Sequence, residues 1–380
     1  MAVSLLLPWS TARWRLAIAA LQFLDALCQV YGSVCLATSS KQNRIAAASR
    51  QVKDLARGNA ARQLAEHPGR SDPVHVFFSA DERHWEGLKA AIASVYSSAS
   101  APDRLVIHVV VQHQKVHDLC HELGIDEFLA PRHGVKIGDS GSLRVHGFSA
   151  ELVARAQTPV RAVPCEAGKL DVPENFVRFY LYNFVSSGIA VYLDADVVVN
   201  CDVGRLAEAL RRTGKTIALA QNRPDMIYLL RGQLLPHAQK RLEFFNVLDH
   251  EVPNAGVMAV DTSRWRDLGY AACVEHWVAE HHKERIWIGG SQIPLVLAVL
   301  QTCSRDDSHR QRDDVLLVPP SWNYQGLGFL KDLENEALAG YKILHWTGPR
   351  KPWLLGGLHR QSWQGHRARW DRLKASDVGK

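Results

Sequence analysis

One stretch constrains this chain more than any other: Ile189-Ala-Val-Tyr-Leu-Asp-Ala-Asp-Val-Val-Val199. A continuous apolar run of this kind reads as a strand buried on both faces. Two carboxylates, Asp194 and Asp196, interrupt it. A carboxylate taken out of water is costly unless something positive meets it. The simplest reading is a bound cation at the carboxyl end of a central strand, where open α/β sheets place their ligands. Two residues apart on an extended chain, both side chains point to the same side.

The rest of the chain supports such a sheet. Val74-His-Val-Phe-Phe78 reads as a strand, and Trp85, Leu88, Ile92 and Val95 recur at helical spacing after it. Leu105–Val111 is a second strand. Strand, helix and strand at this spacing make a βαβ unit and imply parallel pairing. Residues 112–130 read as a helix and 131–170, rich in Gly, Ser and Pro, as loop with short elements. Asn175–Phe184 reads as a helix with one apolar face, and Arg205–Arg212 as another. Thr216–Ala220, the run ending at Asp261, Val315–Val318 and Lys342–Trp346 are further strands. Ser263 reads as the cap of a short helix from Trp265. Tyr270–Glu280 and 285–301 are helical, 304–314 is an exposed loop, and 356–380 a loosely packed basic tail.

Residues 16–37 are apolar over about the length of a bilayer span and follow Arg13 and Arg15, although Gln22, Asp25 and Gln29 interrupt them. A signal anchor, a cleaved signal peptide and a soluble amphipathic helix all fit. The division expected is a short cytoplasmic segment 1–15, the anchor or signal 16–37, a stem 38–72, a catalytic domain 73–355 and the tail 356–380. The net charge of +6 is spread along the chain, short of what a nucleic-acid partner demands, and it tolerates an acidic substrate. None of the seven cysteines forms a CxxC pair, so a zinc site of the usual spacing is not expected. Five lie beyond residue 37, and in an oxidising compartment an odd number leaves a thiol free.

Five separated pieces fit one pattern: Val76-Phe-Phe-Ser-Ala-Asp81, Asn175-Phe-Val-Arg-Phe-Tyr-Leu181, Val191-Tyr-Leu-Asp-Ala-Asp196, Pro253-Asn-Ala-Gly-Val-Met258 and His345-Trp-Thr-Gly-Pro-Arg-Lys-Pro-Trp353. Their order and spacing resemble glycosyltransferase family 8, whose members are retaining, metal-dependent enzymes. Trp322-Asn-Tyr-Gln-Gly-Leu-Gly328 and Ile293-Pro-Leu-Val-Leu297 are similar to the plant galacturonosyltransferase-like branch. The resemblance implies an α/β fold of GT-A type: a Rossmann-like, mixed, mainly parallel sheet flanked by helices in a single catalytic domain.

It also implies roles. Asp194, Asp196 and His345 would hold a divalent cation, and a carboxylate-plus-imidazole set suits Mn²⁺ better than Zn²⁺ or Ca²⁺. Lys351 would meet the donor's diphosphate. Arg178 and Asp194 would contact the nucleotide, and Asp81 the uracil edge, a role compatible with capping a helix. Asn254 and Gln292 would face the donor sugar. Family members commonly carry acids on both sides of that glutamine. Here Ser291 and Ile293 stand there, so the identity of the donor sugar does not carry over. Trp322, Trp346, Trp353 and Trp363 are candidates for stacking on acceptor rings, with core packing the better reading of Trp346 and Trp353.

The function expected is transfer of a hexosyl or hexuronosyl group from a UDP-sugar, with UDP-galacturonate favoured, to a glycan acceptor such as pectin. Retention would proceed by front-face attack, the leaving phosphate oxygen deprotonating the acceptor. The place expected is the Golgi membrane with a lumenal catalytic domain, or the secretory pathway after cleavage. Assembly with other glycosyltransferases is a further expectation. Two alternatives stand: a UDP-glucose or UDP-galactose transferase on the same fold, and a non-catalytic UDP-sugar-binding partner.

Overall fold

The computed structural model describes residues 72–127, 129–154, 172–288, 290–300, 303, 313–331, 333 and 335–375. All belong to one compact unit, Ala60–Lys380. The second unit, Met1–Asn59, lies outside the described residues, and so do the readings of 16–37 and of the stem to residue 71. Among the described residues no helix is long and apolar enough to cross a membrane.

Among the described residues ten strands form: β1 Val74–Ser79, β2 Leu105–Gln112, β3 Val135–Ile137, β4 Gly141–Phe148, β5 Ile189–Leu193, β6 Val197–Val199, β7 Ile217–Ala220, β8 Val257–Asp261, β9 Val315–Val318 and β10 Ile343–His345. Eight make one sheet in the order β3-β4-β2-β1-β5-β8-β7-β9. The pairs β1–β2, β1–β5, β2–β4 and β7–β9 are parallel. The pairs β3–β4, β5–β8 and β7–β8 are antiparallel. The longer helices are α1 Trp85–Ser98, α2 Val116–Leu123, α3 Gly204–Thr213, α4 Pro236–Glu243, α5 Tyr270–Lys283, α6 Gln292–Val299 and α7 Gln361–Ala375.

The sheet is buried on both faces, as the unbroken apolar runs require. Val76, Phe78, Val191 and Leu193 pack with Leu88 and Ile92 of α1 in one core layer. Phe77, Tyr192 and Met258 pack with Trp277 of α5 and Ile293 of α6 in the other. All five residues of β5 are buried, which makes it the central strand that its sequence describes.

Several elements differ from expectation. The helix read over 112–130 is cut to α2, because Gly124 takes a left-handed conformation (φ 61°) and caps it. Residues 141–148, read as part of a loop with short elements, form the eight-residue β4; it alternates buried Leu143 and Val145 with exposed Arg144, a half-buried signature that its glycines and serine obscured. Asn175–Phe184 is not an α-helix but two 3₁₀ segments, Pro173–Phe179 and Leu181–Asn183. Phe176 to Phe179 are buried consecutively, so this segment is enclosed and has no single apolar face. Asp261, not Ser263, caps the helix Thr262–Asp267 by accepting from the Arg264 N–H at 3.0 Å. Asp314, read as exposed loop, is buried and accepts from Arg264 (3.0 Å) and the Tyr270 hydroxyl (2.9 Å).

The C-terminal segment is not a loose tail. Residues 361–375 form α7, which packs on α1 and is tied to it by Arg367 Nε donating to Glu86 at 2.8 Å. Trp363 and Trp370 are buried beneath it. Truncating a buried tryptophan leaves a cavity, so Trp370→Ala is expected to cost about 3–5 kcal/mol of stability by urea unfolding. A change under about 1 kcal/mol would return the segment to the status of a tail.

Three histidines form a ladder across neighbouring strands. His75 Nδ1 lies 3.0 Å from His108 Nε2, and His108 Nδ1 lies 2.9 Å from His146 Nε2. The His108 ring stacks on Phe77 with centroids 4.3 Å apart. Burial, then the neighbouring histidines and Arg144, push His108 down to about 2; burial and Arg144 push His146 down to about 4 and lower His75. All three bind protons more readily unfolded, near pH 6.5, than folded, so stability is full above that pH and falls below it. Between pH 8 and 5.5, His108 and His146 together are expected to lower stability by roughly 3 kcal/mol. Equal urea-unfolding stabilities at the two pH values would contradict this.

Candidate active site

The site forms where β5 ends. Asp194 follows its last residue, Leu193, and the chain turns through Ala195 and Asp196 before β6 begins. The two acids are therefore separated by a turn and not by the extended backbone expected. β10 pairs antiparallel with β6, placing His345 opposite Val197, the residue after Asp196. Backbone bonds lock both edges: Asp194 N–H donates to Gly256 O (2.8 Å) and Trp346 N–H to Asp196 O (2.9 Å).

His345 Nε2 lies 3.2 Å from Asp196 Oδ1 and 3.7 Å from Asp194 Oδ2. The three ligand atoms lie within 4.8 Å of one another. His345 is 1% exposed, so the cluster is lined on that side by protein. Lys351 donates to Asp196 Oδ2 and, at 2.7 Å, to the Trp346 carbonyl. Burial pushes the Asp196 carboxyl up, but Lys351 and His345 outweigh it and hold the group well below the usual carboxylate range. The acid is thus ionised and available as a ligand.

Arg178 stands behind Asp194. Its Nη2 donates to Asp194 Oδ1 (3.0 Å), Nη1 to Ala255 O (2.9 Å) and Nε to Asn175 O (2.9 Å). The guanidinium also lies over the Tyr192 ring, 4.6 Å from its centroid. Three bonds in three directions lock the fork, so one oxygen of Asp194 is held and the other is turned towards His345. The 3₁₀ segment sets the position of this arginine.

The loop Pro253-Asn-Ala-Gly256 gathers the remaining residues. Asn254 Oδ1 accepts from Gly256 N–H (2.9 Å), and Gln292 Oε1, at the first position of α6, accepts from Ala255 N–H (3.0 Å). Asp194, Asp196, His345, Lys351, Arg178, Asn254 and Gln292 therefore join in one network. Asp81 is bonded within its own turn, and its partner His84 acts on Asp196 through charge. Asp81 caps the 3₁₀ turn Glu82–His84, accepts from Arg83 N–H (3.0 Å), from the Arg83 side chain and faces His84 Nδ1 at 2.8 Å. Burial raises its pKa, and the bonds to His84 and Arg83 more than offset this and lower it. His84 in turn meets Trp353 edge-on, centroids 6.0 Å apart.

Of the tryptophans, Trp322, Trp346 and Trp363 are buried and cannot act as exposed sugar platforms. Two residues of the site carried no assigned role in the sequence reading, Gly256 and Asn323. A Cβ on Gly256 would stand 2.3 Å from His345 Cε1 and 2.4 Å from Asp194 Oδ2, so the close approach of those groups needs a glycine. Asn323 Oδ1 lies 2.8 Å from His345 Nδ1. Neither follows a spacing rule; only the fold brings them in.

The cluster fits a divalent cation. It offers two carboxylate oxygens and an imidazole nitrogen, and His345's second nitrogen already has a partner, the arrangement that orients metal-bound histidines. No side chain on Gly256 intrudes. Elsewhere, Cys273 and Cys303 are disulfide-bonded with a Cα–Cα distance of 5.6 Å. Among the described residues Cys120 and Cys201 are free, and burial raises both thiols, to about 11 and about 12. Cys165 lies outside the described residues.

Comparison with known proteins agrees with this geometry. A family model described as Glycosyl transferase family 8 matches residues 75–355. Probable galacturonosyltransferase-like 4 of Arabidopsis thaliana is 26% identical over 305 residues, covering 75% of this chain and 74% of the relative. Probable galacturonosyltransferase-like 3 of the same plant is 25% identical, with 76% and 77% covered. Among solved structures, the galactosyltransferase LgtC in complex with donor and acceptor sugar analogs superposes with a TM-score of 0.50 at 18% identity, covering 80% of this chain and 96% of that one. That likeness bears on the fold, which is of GT-A type.

Proposed function

The chain belongs to glycosyl transferase family 8, and on that premise we propose that it is a Mn²⁺-dependent, retaining transferase acting on a UDP-sugar, with UDP-galacturonate as the favoured donor. That it is a glycosyltransferase, with a nucleotide-sugar donor and a glycan acceptor, follows from the family. The finer reading rests on one observation: Asp194, Asp196 and His345 present ligand atoms within 4.8 Å, with Lys351 bonded to the same Asp196. A divalent cation there supplies charge neutralisation for a departing diphosphate.

The chain's own residues do the rest. Arg178 fixes the direction of Asp194. Lys351 sits within reach of any phosphate oxygen placed beside Asp196, where its ammonium stabilises leaving-group charge. Asn254 and Gln292 brace the loop 253–256, which forms the wall on the donor-sugar side, and Gln292 offers its amide nitrogen to the reacting face. Asp81 takes the uracil edge once the half-exposed Arg83 side chain swings away from it. The acceptor attacks on the face the phosphate leaves, so the protein mainly orients reactants and stabilises charge.

The galacturonosyltransferase-like relatives favour galacturonate as the group moved, and a pectin-like glycan is the acceptor of this proposal. The apolar run 16–37 supports type II anchoring in the Golgi membrane, with 38–72 as stem and the catalytic domain in the lumen, and the Cys273–Cys303 disulfide supports an oxidising compartment. The test is release of UDP from a panel of UDP-sugars by the full chain in mild detergent. Turnover of UDP-galacturonate with Mn²⁺, abolished by EDTA, is the expected result. Turnover of UDP-glucose or UDP-galactose alone would reassign the donor, and UDP binding without any turnover would make the protein a non-catalytic partner.

A further inference from the structure

We infer that Asn323 is a positioning residue that fixes the tautomer of His345, an assignment that rests on the cation reading of the site. Hydrogen-bond polarity passes along a buried chain of groups from Gly256 to His345. Gly256 N–H can only donate, and it donates to Asn254 Oδ1 at 2.9 Å, which marks that atom as the amide oxygen. Asn323 Nδ2 lies 3.1 Å from that same oxygen and 3.1 Å from the Asn254 backbone carbonyl. Two acceptors on one side place the Asn323 amide nitrogen there and leave its oxygen on the other. That oxygen is 2.8 Å from His345 Nδ1, so Nδ1 must carry the proton. His345 Nε2 is then the nitrogen left to meet a cation, and it is the one 3.2 Å from Asp196.

Asn323 is 3% exposed and His345 1%, so water does not compete for these bonds. A neutral imidazole free to exchange tautomers would present the wrong nitrogen part of the time. A hydrogen bond on the far nitrogen removes that state and raises the basicity of the ligating one. The same amide ties the metal ligand to Asn254 on the donor-sugar wall, so the two halves of the site share one support.

The test uses full chain in mild detergent with ¹⁵N-labelled histidine, His345→Gln serving to assign the His345 signals. Long-range ¹⁵N–¹H spectra of the metal-free wild type should show His345 protonated at Nδ1. Asn323→Leu should show a mixture of tautomers, and Mn²⁺ affinity by EPR should fall 10–100-fold. Asn323→Asp keeps an acceptor facing Nδ1 and should hold the Nδ1–H form, although its second oxygen now opposes the two Asn254 acceptors. A wild type protonated at Nε2 alone, an Asn323→Leu variant with unchanged tautomer and affinity, or an Asp variant with the tautomer mixture of the Leu variant would each overturn the assignment. The expected tautomer pattern in a protein that turns over no UDP-sugar would leave Asn323's role standing and defeat the functional reading instead.

Discussion

Asp196→Asn is expected to cut Mn²⁺-dependent release of UDP by at least about 10³-fold while leaving the fold intact. The substitution is nearly isosteric but removes the charge that His345 faces across 3.2 Å and that Lys351 meets in a direct hydrogen bond. A cation that loses an ionised ligand stabilises the developing diphosphate charge less, by several kcal/mol, and about 4 kcal/mol corresponds to 10³ in rate. Lys351 also loses its anion and is left near an amide oxygen. Steady-state UDP release with circular dichroism as a fold check measures it. A loss of less than tenfold in a folded variant would remove Asp196 from the chemistry.

Gly256→Ala should be nearly as severe, by a different route. The added methyl would meet His345 Cε1 at 2.3 Å, Asp194 Oδ2 at 2.4 Å and Asn254 Oδ1 at 2.9 Å. Gly256 is not among the glycines of positive φ, so backbone strain is not the cause. The clash acts on three functional groups at once. Overpacking of this kind typically costs about 1–3 kcal/mol in stability, which the domain tolerates, whereas misplacing a reacting group by about 1 Å is enough to cost 10² in rate. Mn²⁺ affinity and UDP release are each expected to fall by at least about 10²-fold. Unchanged values would mean that His345 and Asp194 do not approach over this glycine in solution.

Both predictions use residues that were unequally legible in the sequence. Asp194 and Asp196 announced themselves, because acids inside an apolar run need a reason. His345 and Lys351 became legible through the family pattern, and the pairing of β6 with β10 explains why so distant a segment belongs to the same site. Gly256 was visible only as part of a motif, since its reason is a clearance in three dimensions. Arg178 carries its nucleotide role from the family pattern, and the structure adds bonds from its guanidinium to Asp194, Ala255 and Asn175. Those bonds depend on which way a side chain points from a 3₁₀ turn, which no periodicity records. Asn323 acts through an amide that joins two side chains, a relation of tertiary contact alone.

The fold shows the same division. Strands buried on both faces, β1, β2 and β5, were plain from unbroken apolar runs, and parallel pairing follows from them, whereas the mixed, GT-A-type sheet was implied by the family pattern. β4 escaped because only its alternate residues are apolar and glycine opens it. α7 escaped because its sequence is basic and only tryptophans mark its buried side, so burial had no regular stripe to announce it. The histidine ladder crosses three strands at residues 75, 108 and 146, a register that exists only once β1, β2 and β4 lie side by side.

The central claim is that Asp194, Asp196 and His345 form one cation site whose function is completed by a bound diphosphate. Titration of the full chain with Mn²⁺, followed by EPR with and without UDP, tests it most directly. One Mn²⁺ per chain is expected, bound more tightly when UDP is present, and weakened at least about 10²-fold in both Asp196→Asn and His345→Ala. Binding of equal strength in wild type and both variants, or binding indifferent to UDP, would contradict it.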